Sequence, residues 1–468
     1  MPTPIRAVLI GAGQRGAEAF APYALENPDR LRFSAVAEPD PVRRAAFASL
    51  HHIPAESQFE SWEPLFSRPP MGQAAFVCTP DRKHTGPALA ALQAGYHVLL
   101  EKPMATTEDE CRTLVRAAGS SGRQLHVAHV LRYTRHFQKM REILDSGVLG
   151  DIVNISHREN VSWWHMAHSY VRGNWAAADR SSPMILAKCC HDFDILVWML
   201  GRDCVSLSSF GSLVHFRPEQ APPGATAFCL DGCPAAATCP YYAPFIYIDL
   251  VPLWRSYAGT APRLPALLAK AQEKVPGLLK ILGLVSPVTR RAVDYRGWPR
   301  SVVSHDPTPE NLLQALQKGP YGRCVYHCDN DVVDNQVVAM QFEGGLTVTL
   351  TMQGHSHLEG RTTRVEASRG SLMAHFGVGG SWIEVNEHRS DRRTRYNTSA
   401  PLGEGHGGGD RILLETFLGS ITGDGSTALS LADQSLESHL LAFAAETSRL
   451  EKRVVDMHQY RQGADLKG

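Results

Sequence analysis

Over the first 130 residues, short apolar runs alternate with stretches whose apolar positions recur at helical spacing. Ile5 to Ile10, Arg32 to Ala37, Ala74 to Cys78, His97 to Leu100 and Gln124 to His129 predict strands. Ala17 to Leu25, Val42 to His51, His84 to Ala94 and Thr107 to Ala118 predict the helices between them. Apolar strands alternating with helices imply a parallel sheet covered on both faces, which places residues 1–130 in the α/β class. The rhythm then changes. Phe137 to Ser146 predicts a helix, Asp151 to Glu159 a strand with a polar face, and Pro183 to Leu200 one long apolar helix. Strand-like runs recur at Val205 to His215, Asp334 to Phe342, Leu346 to Gln353, Arg361 to Glu366 and Ser371 to His375. This predicts an α+β domain over 131–425 with a large, mainly antiparallel open sheet. An insertion at about 228–320 carries cysteines and helices near Pro262 to Ile281. Gly403 to Gly409 reads as a flexible loop. A final unit, 426–468, holds a helix from Thr427 to Lys452 and a loosely held tail.

Chemistry enters first at the end of the first strand. Gly11-Ala12-Gly13-Gln14-Arg15-Gly16 places G-x-G-x-x-G between a strand and a helix start. Such a turn lets a pyrophosphate approach the backbone and meet the unpaired N–H groups of a helix N-terminus. Glu38 follows the second strand, where an acid bonds the adenosine ribose hydroxyls and repels a 2′-phosphate. The cofactor expected is therefore NAD, in a Rossmann domain, although Arg43 and Arg44 stand close enough in sequence to soften the bias against NADP.

Composition narrows the classes. The 468 residues carry 47 basic and 47 acidic side chains, which gives no electrostatic support for nucleic acid or an anionic membrane as partner. No apolar run reaches the roughly 18 residues a membrane helix needs, and the N-terminus has no signal-peptide pattern, so the expectation is a cytoplasmic protein. Of ten cysteines, five lie in polar, Gly/Pro-rich surroundings: Cys229, Cys233 and Cys239, then Cys324 and Cys328. Their spacings miss the usual C-x2-C zinc pattern. A structural zinc or other metal, disulfides and unlinked thiols stay open as readings, with stable disulfides unusual in such a compartment.

Glu101-Lys102-Pro103 after His97 to Leu100, Thr79-Pro80 with His84, and Arg132-Tyr133 followed by Gly147-x-Leu149-Gly150 together resemble the Gfo/Idh/MocA oxidoreductases. The resemblance spans about the first 215 residues and is weak in the insertion. It implies an open sheet serving as the interface of a homo-dimer or homo-tetramer, and oxidation or reduction of a hydroxyl-bearing carbon on a sugar, cyclitol or derivative. It also implies a cis-proline turn at Pro103 that aims Lys102 at the nicotinamide. A lysine beside a cationic ring can be pushed toward neutrality and exchange the hydroxyl proton. His191, followed by Asp192-Phe193-Asp194, matches the histidine of the family's active-site helix, which orients or protonates the hydroxyl. Many members carry aspartate four residues earlier, where this chain has Ala187, with Lys188 beside it as a substitute substrate-binding cation.

The site expected on these grounds comprises Lys102, His191 and Tyr133 as catalytic groups. Arg132, Trp163, Trp164, His168, Arg172, Lys188 and Asp192 are the substrate-binding candidates, the aromatics suiting a sugar face. Gly11, Gly13, Gln14, Arg15, Gly16, Glu38, Thr79, Pro80, His84, Glu101 and Lys102 are the cofactor-binding candidates. His355, His357, Arg361, His406 and Asp410 are weaker pocket candidates. Two alternatives remain: an NAD-requiring glycoside hydrolase, using transient C3 oxidation, elimination and hydration with a second base from Tyr133, His168 or His191, and a cofactor-binding regulatory protein.

Overall fold

The computed structural model describes residues 3–260, 263–275, 294–401, 405–423 and 426–463. Six strands, β1 (Ile5–Ile10), β2 (Leu31–Ala37), β3 (Gln58–Phe59), β4 (Ala74–Val77), β5 (His97–Leu100) and β6 (Leu125–Val127), form one sheet in the order β3-β2-β1-β4-β5-β6, all parallel. Period-2 alternation explains its double burial. In β1, Ile5, Ala7 and Leu9 enter one apolar core while Val8 and Ile10 enter the core on the opposite face. The two-residue β3 was too short to stand out in the sequence.

The second sheet has nine strands: β7 (Ile152–Ser162), β8 (Cys204–Ser212), β9 (Asn335–Phe342), β10 (Thr347–Ser356), β11 (Gly360–Ala367), β12 (Gly370–Gly377), β13 (Trp382–Glu387), β14 (Arg393–Asn397) and β15 (Val455–Asp456). Their order is β14-β13-β12-β11-β7-β10-β9-β8-β15, antiparallel except for the parallel β7–β10 pair. In β9, every second residue from Gln336 to Phe342 is buried and the ones between are exposed or half-buried, so one face packs on the core and the other is open. The fold is thus a Rossmann unit joined to a mixed, mostly antiparallel sheet unit. β13 and the edge strands β14 and β15 were not foreseen; β14 is short and polar and β15 has two residues.

The expected helix from Pro183 to Leu200 is two helices, Met184–Ala187 and Cys190–Leu200, broken at Lys188–Cys189. At the break, Lys188 pairs with Glu159 on β7 and with Glu359 just before β11, and the Ala187 carbonyl accepts from Lys102. In the insertion, Val251–Thr260 and Arg263–Lys274 are helical. The expected continuation to Ile281 lies outside the described residues, as do Gly403 of the glycine loop and the last residues of the tail. Glu404 lies outside them too; Gly405–Gly408 form a short 3-10 segment and Gly409 opens the helix Gly409–Thr422.

Buried histidines give the fold an acid sensitivity. Burial holds His126 and His136 down at about 3 and His439 at about 4. A histidine whose folded pKa lies below its unfolded value binds its proton in the unfolded chain first, so stability falls as pH drops below about 6.5. The expected cost at about pH 5.5 is about 1 kcal/mol for each of the three. Thermal unfolding should therefore move to lower temperature between about pH 7 and pH 5.5. An unchanged midpoint over that range would mean these rings do not enter the fold neutral.

Candidate active site

The C-terminal ends of the parallel strands, the place where open α/β sheets bind ligands, carry the glycine turn after β1 and Lys102 after β5, and Lys102 reaches Ala187 of the second unit. Gly11 ends β1 with φ +92, and a Cβ there would stand 2.6 Å from the Cys78 carbonyl oxygen. A Cβ on Gly16 would stand 2.3 Å from the Gly11 carbonyl, so the turn closes only with glycine at both positions. At Gly13, by contrast, no described atom lies within 4 Å of where a Cβ would be. The backbone is open on that side, as approach by a pyrophosphate requires. Gln14 begins the helical turn Gln14–Phe20 that follows. Glu38, buried at the end of β2, accepts from the Ala12 amide at 2.7 Å and the Asp40 amide at 3.0 Å. An acid thus stands at the ribose position beside the glycine turn. These residues fit a dinucleotide.

Arg15 sits elsewhere than expected of a phosphate ligand. Its guanidinium donates to Glu101 Oε1 at 2.6 Å and Asp410 Oδ1 at 2.7 Å, and His406 Nδ1 lies 2.9 Å from Asp410 Oδ2. The charge is spent on tying the glycine turn to the β5 loop and to the helix Gly409–Thr422. Glu101 is likewise committed to Arg15. Thr79 and Pro80 follow β4, and His84 braces the loop after β5, one ring nitrogen 2.7 Å from the Pro103 carbonyl and the other 2.7 Å from that of Thr79. The Lys102–Pro103 peptide is cis, as the resemblance implied.

Lys102 Nζ donates to the Ala187 carbonyl at 2.8 Å, which brings the β5 loop against the broken helix. His191 lies in the first turn of Cys190–Leu200, and among the described residues its Nδ1 has no hydrogen-bond partner. Burial, together with the charges of Lys102 and His129, holds this imidazole well below the usual histidine range. It is a neutral ring at pH 7, able to donate from one nitrogen and accept at the other.

The rest of the His191-Asp192-Phe193-Asp194 run diverges by helical angle. Asp192 is fully buried, 2.9 Å from His157 Nε2 and 2.7 Å from Arg361 Nε. Asp194 takes a two-pronged bond from Arg132, at 2.7 and 2.6 Å. Both carboxylates brace the helix from inside, out of reach of a substrate. Arg132, expected in the pocket, is buried by that pairing. Tyr133 is 1% exposed, with its hydroxyl 3.0 Å from Ser430 Oγ and accepting from the Leu429 amide at 3.2 Å, so it packs the wall and faces no reacting group.

Around Lys188 the structure assembles a network the sequence did not indicate. Lys188 Nζ is 2.9 Å from Glu359 and 3.3 Å from Glu159, while Arg361 Nη2 is 2.9 Å from Glu159. Glu359 also lies 3.0 Å from His165 Nδ1 and accepts from the Ser162 amide at 2.8 Å. Against burial, Glu359 and Glu159 hold Lys188 above the usual lysine range, and His165 and Lys188 hold Glu359 well below the usual carboxylate range. Burial pushes Glu159 up to about 7 despite its two cations. The partly exposed edge of this network is Lys188, Glu359 and His165. Glu359 joins β10 to β11 far along the chain, and its only sequence signal was an acid and Arg361 flanking a glycine.

The aromatic segment goes to the insertion. Trp164 packs on Trp298 at 5.0 Å, and His168 stacks on Tyr321 at 4.9 Å with Nδ1 3.1 Å from the Tyr247 hydroxyl. Trp163 meets Tyr241, and buried Arg172 donates to the carbonyls of Arg323 and Tyr241. These expected substrate contacts form a packing seam, Trp163 being only half-buried. His355 lies against Asp334 at 3.3 Å, away from Lys102's neighbours, and His357 has no contact that bears on the site. Among the described residues no group of three or more His, Cys, Asp or Glu is arranged to hold a metal ion, so the metal reading of the cysteine group, one of the three left open, has no preformed ligand geometry behind it. No helix among them is long and apolar enough to cross a membrane.

Residues 5–129 match a family model described as oxidoreductase family, NAD-binding Rossmann fold, and residues 137–230 match one described as GFO/IDH/MocA C-terminal domain. The protein YteT of Bacillus subtilis (strain 168) is 23% identical over 442 residues, 88% of each chain. Inositol 2-dehydrogenase 2 of Saccharopolyspora erythraea is 33% identical over 138 residues, which span 29% of this chain and 37% of that one. The fold is similar to that of an oxidoreductase from Agrobacterium radiobacter solved with NAD+, L-tartaric acid and magnesium. That likeness has a TM-score of 0.64 and 14% identity, covering 97% of this chain and 99% of the other.

Proposed function

The chain belongs to the Gfo/Idh/MocA family of NAD-binding oxidoreductases, and from that membership we propose that it oxidises or reduces a hydroxyl-bearing carbon of a sugar, cyclitol or derivative. The observation that carries the reading is the meeting of Lys102 with Ala187, at the end of the short helix before the His191 helix, on a loop that Glu101 ties to Arg15 of the glycine turn. NAD, when bound, supplies the hydride acceptor or donor. Lys102 Nζ takes the hydroxyl proton in oxidation and returns it in reduction. His191, neutral and with a free ring nitrogen, orients that hydroxyl. Glu359, His165 and Lys188 offer the remaining hydroxyls a donor and acceptor edge. Because Lys188 and Arg361 are already matched by carboxylates, a neutral polyol fits this edge better than an acid.

The hydrolase alternative loses support. Two of its candidate second bases are buried, the Tyr133 hydroxyl bonded to Ser430 and Leu429 and His168 Nδ1 to the Tyr247 hydroxyl. The test is a panel of sugars, cyclitols and aryl glycosides followed for NADH and for released aglycone. Stoichiometric NADH is the expected outcome. Aglycone release at catalytic NAD, with solvent deuterium entering at C2, would overturn the reading in favour of hydrolysis.

A homo-oligomer in the cytoplasm completes the proposal. The open sheet presents Val153, Phe210, Val337 and Met373 to solvent, and Phe210, paired with Val337, is 73% exposed. An apolar face of this kind supports a subunit interface.

A further inference from the structure

The oxidoreductase reading assigns nothing to the cysteine group of the insertion, and the fold treats four of the five thiols differently from the fifth. An antiparallel bridge between Phe228 and Arg323 closes the neck of the insertion. Cys229 N donates to the Gly322 carbonyl and Cys324 N to that of Ala227, both at 2.9 Å, which sets these two cysteines side by side. Turn bonds from Ala236 to the Cys233 carbonyl and from Cys239 to the Ala235 carbonyl fold the other two back toward them. Cys229, Cys233, Cys239 and Cys324, with Arg172 and Tyr241, line a cavity of about 10 Å³. That is room for one water-sized sphere. Cys328 is not on its wall; its thiol turns to the Cys324 carbonyl at 3.3 Å.

We propose that Cys229, Cys233, Cys239 and Cys324 form a tetrathiolate site for one zinc-class divalent cation, which staples the neck of the insertion. Four sulfurs around a sphere of that size are the donor set that a borderline-soft, tetrahedral cation takes. Arg172 adds the opposing charge. It is 4% exposed, its Nη2 lies 3.5 Å from Cys229 Sγ, and among the described residues its Nη1 has no partner. A dication held by four thiolates is anionic overall, so a buried guanidinium on the same wall is matched.

The four residues line the cavity without their sulfurs already standing as a coordination group. Binding draws them in to about 2.3 Å from the cation and releases their protons to solvent. Cys233 and Cys239, the two half-buried thiols, have the freedom to move. The need for a staple is structural. The insertion keeps a small apolar core of its own around Ile246, Tyr247, Trp254 and Leu316, and small cores commonly depend on a metal or a crosslink.

The test is metal analysis of the full-length protein, grown with zinc and purified without metal-affinity resin or chelator, which needs no substrate and is independent of the oxidoreductase reading. About one zinc per chain is expected. The double substitution Cys239→Ser with Cys324→Ser should lower it to under about a tenth, while Cys328→Ser should leave it unchanged. Cobalt(II) in place of zinc should show intense thiolate charge-transfer absorption. If the double variant does not fold, mercurial titration of the wild-type chain should release the zinc as four thiols react. Wild-type protein that lacks stoichiometric zinc and takes up no cobalt overturns the proposal, as does an intact mass showing disulfides among the four.

Discussion

Replacing Lys102 with methionine should lower kcat by about 10²- to 10⁴-fold while NADH still binds, as followed by fluorescence titration. Methionine keeps much of the length and the apolar stem but has no proton to exchange. Lys102→Arg separates charge from proton transfer. Arginine keeps the cation and can still reach toward the Ala187 carbonyl, yet it does not deprotonate in a protein. Both variants should therefore be equally impaired. An active arginine variant would mean that Lys102 serves only as a fixed charge, and an active methionine variant would remove it from the chemistry altogether. Because Lys102 touches the broken helix through a single hydrogen bond, unfolding temperatures should stay within a few degrees of the wild type, which keeps the kinetic result interpretable.

The largest loss of stability is expected from Asp194→Ala. Arg132 is 3% exposed and, among the described residues, keeps only backbone carbonyls, those of Leu429 and Gln434, once the carboxylate is gone. Removing one partner of a buried pair typically costs about 3–5 kcal/mol, because the remaining charge has nowhere to go. Denaturant unfolding should show that loss. Asp194→Asn, which keeps shape and a hydrogen-bond acceptor, should lose less. A loss under about 1 kcal/mol for the alanine variant would show that water or a rotated Arg132 relieves the charge. The asparagine variant also tests the division of labour along the helix: if Asp194 only braces it, KM should hold while stability falls.

That division shows how far the sequence reached. G-x-G-x-x-G, Glu38 and Glu101-Lys102-Pro103 were legible because each is local: a strand end, a turn and a few backbone constraints fix where they go. His191 was legible by resemblance. Arg132, Tyr133 and Asp192 were read as site residues from the family pattern, and His168 and Arg172 from the polar and aromatic mixture of their segment; the structure buries all five. Glu359 was missed for the complementary reason. It becomes a neighbour of Lys188 only when β11 is laid beside β7, a pairing between segments some two hundred residues apart.

The sequence by itself therefore determined the parallel sheet and the dinucleotide turn, since short-range periodicity and backbone sterics act within a few residues, while the cis turn at Lys102–Pro103 came from the family resemblance. Only the tertiary structure decided which polar side chains face the cleft, where the helix breaks at Lys188, and which four of five cysteines share a wall. Those outcomes depend on burial and charge pairing between distant strands. A buried charge must find its partner wherever the fold puts one, and adjacency along the chain does not reveal where that is.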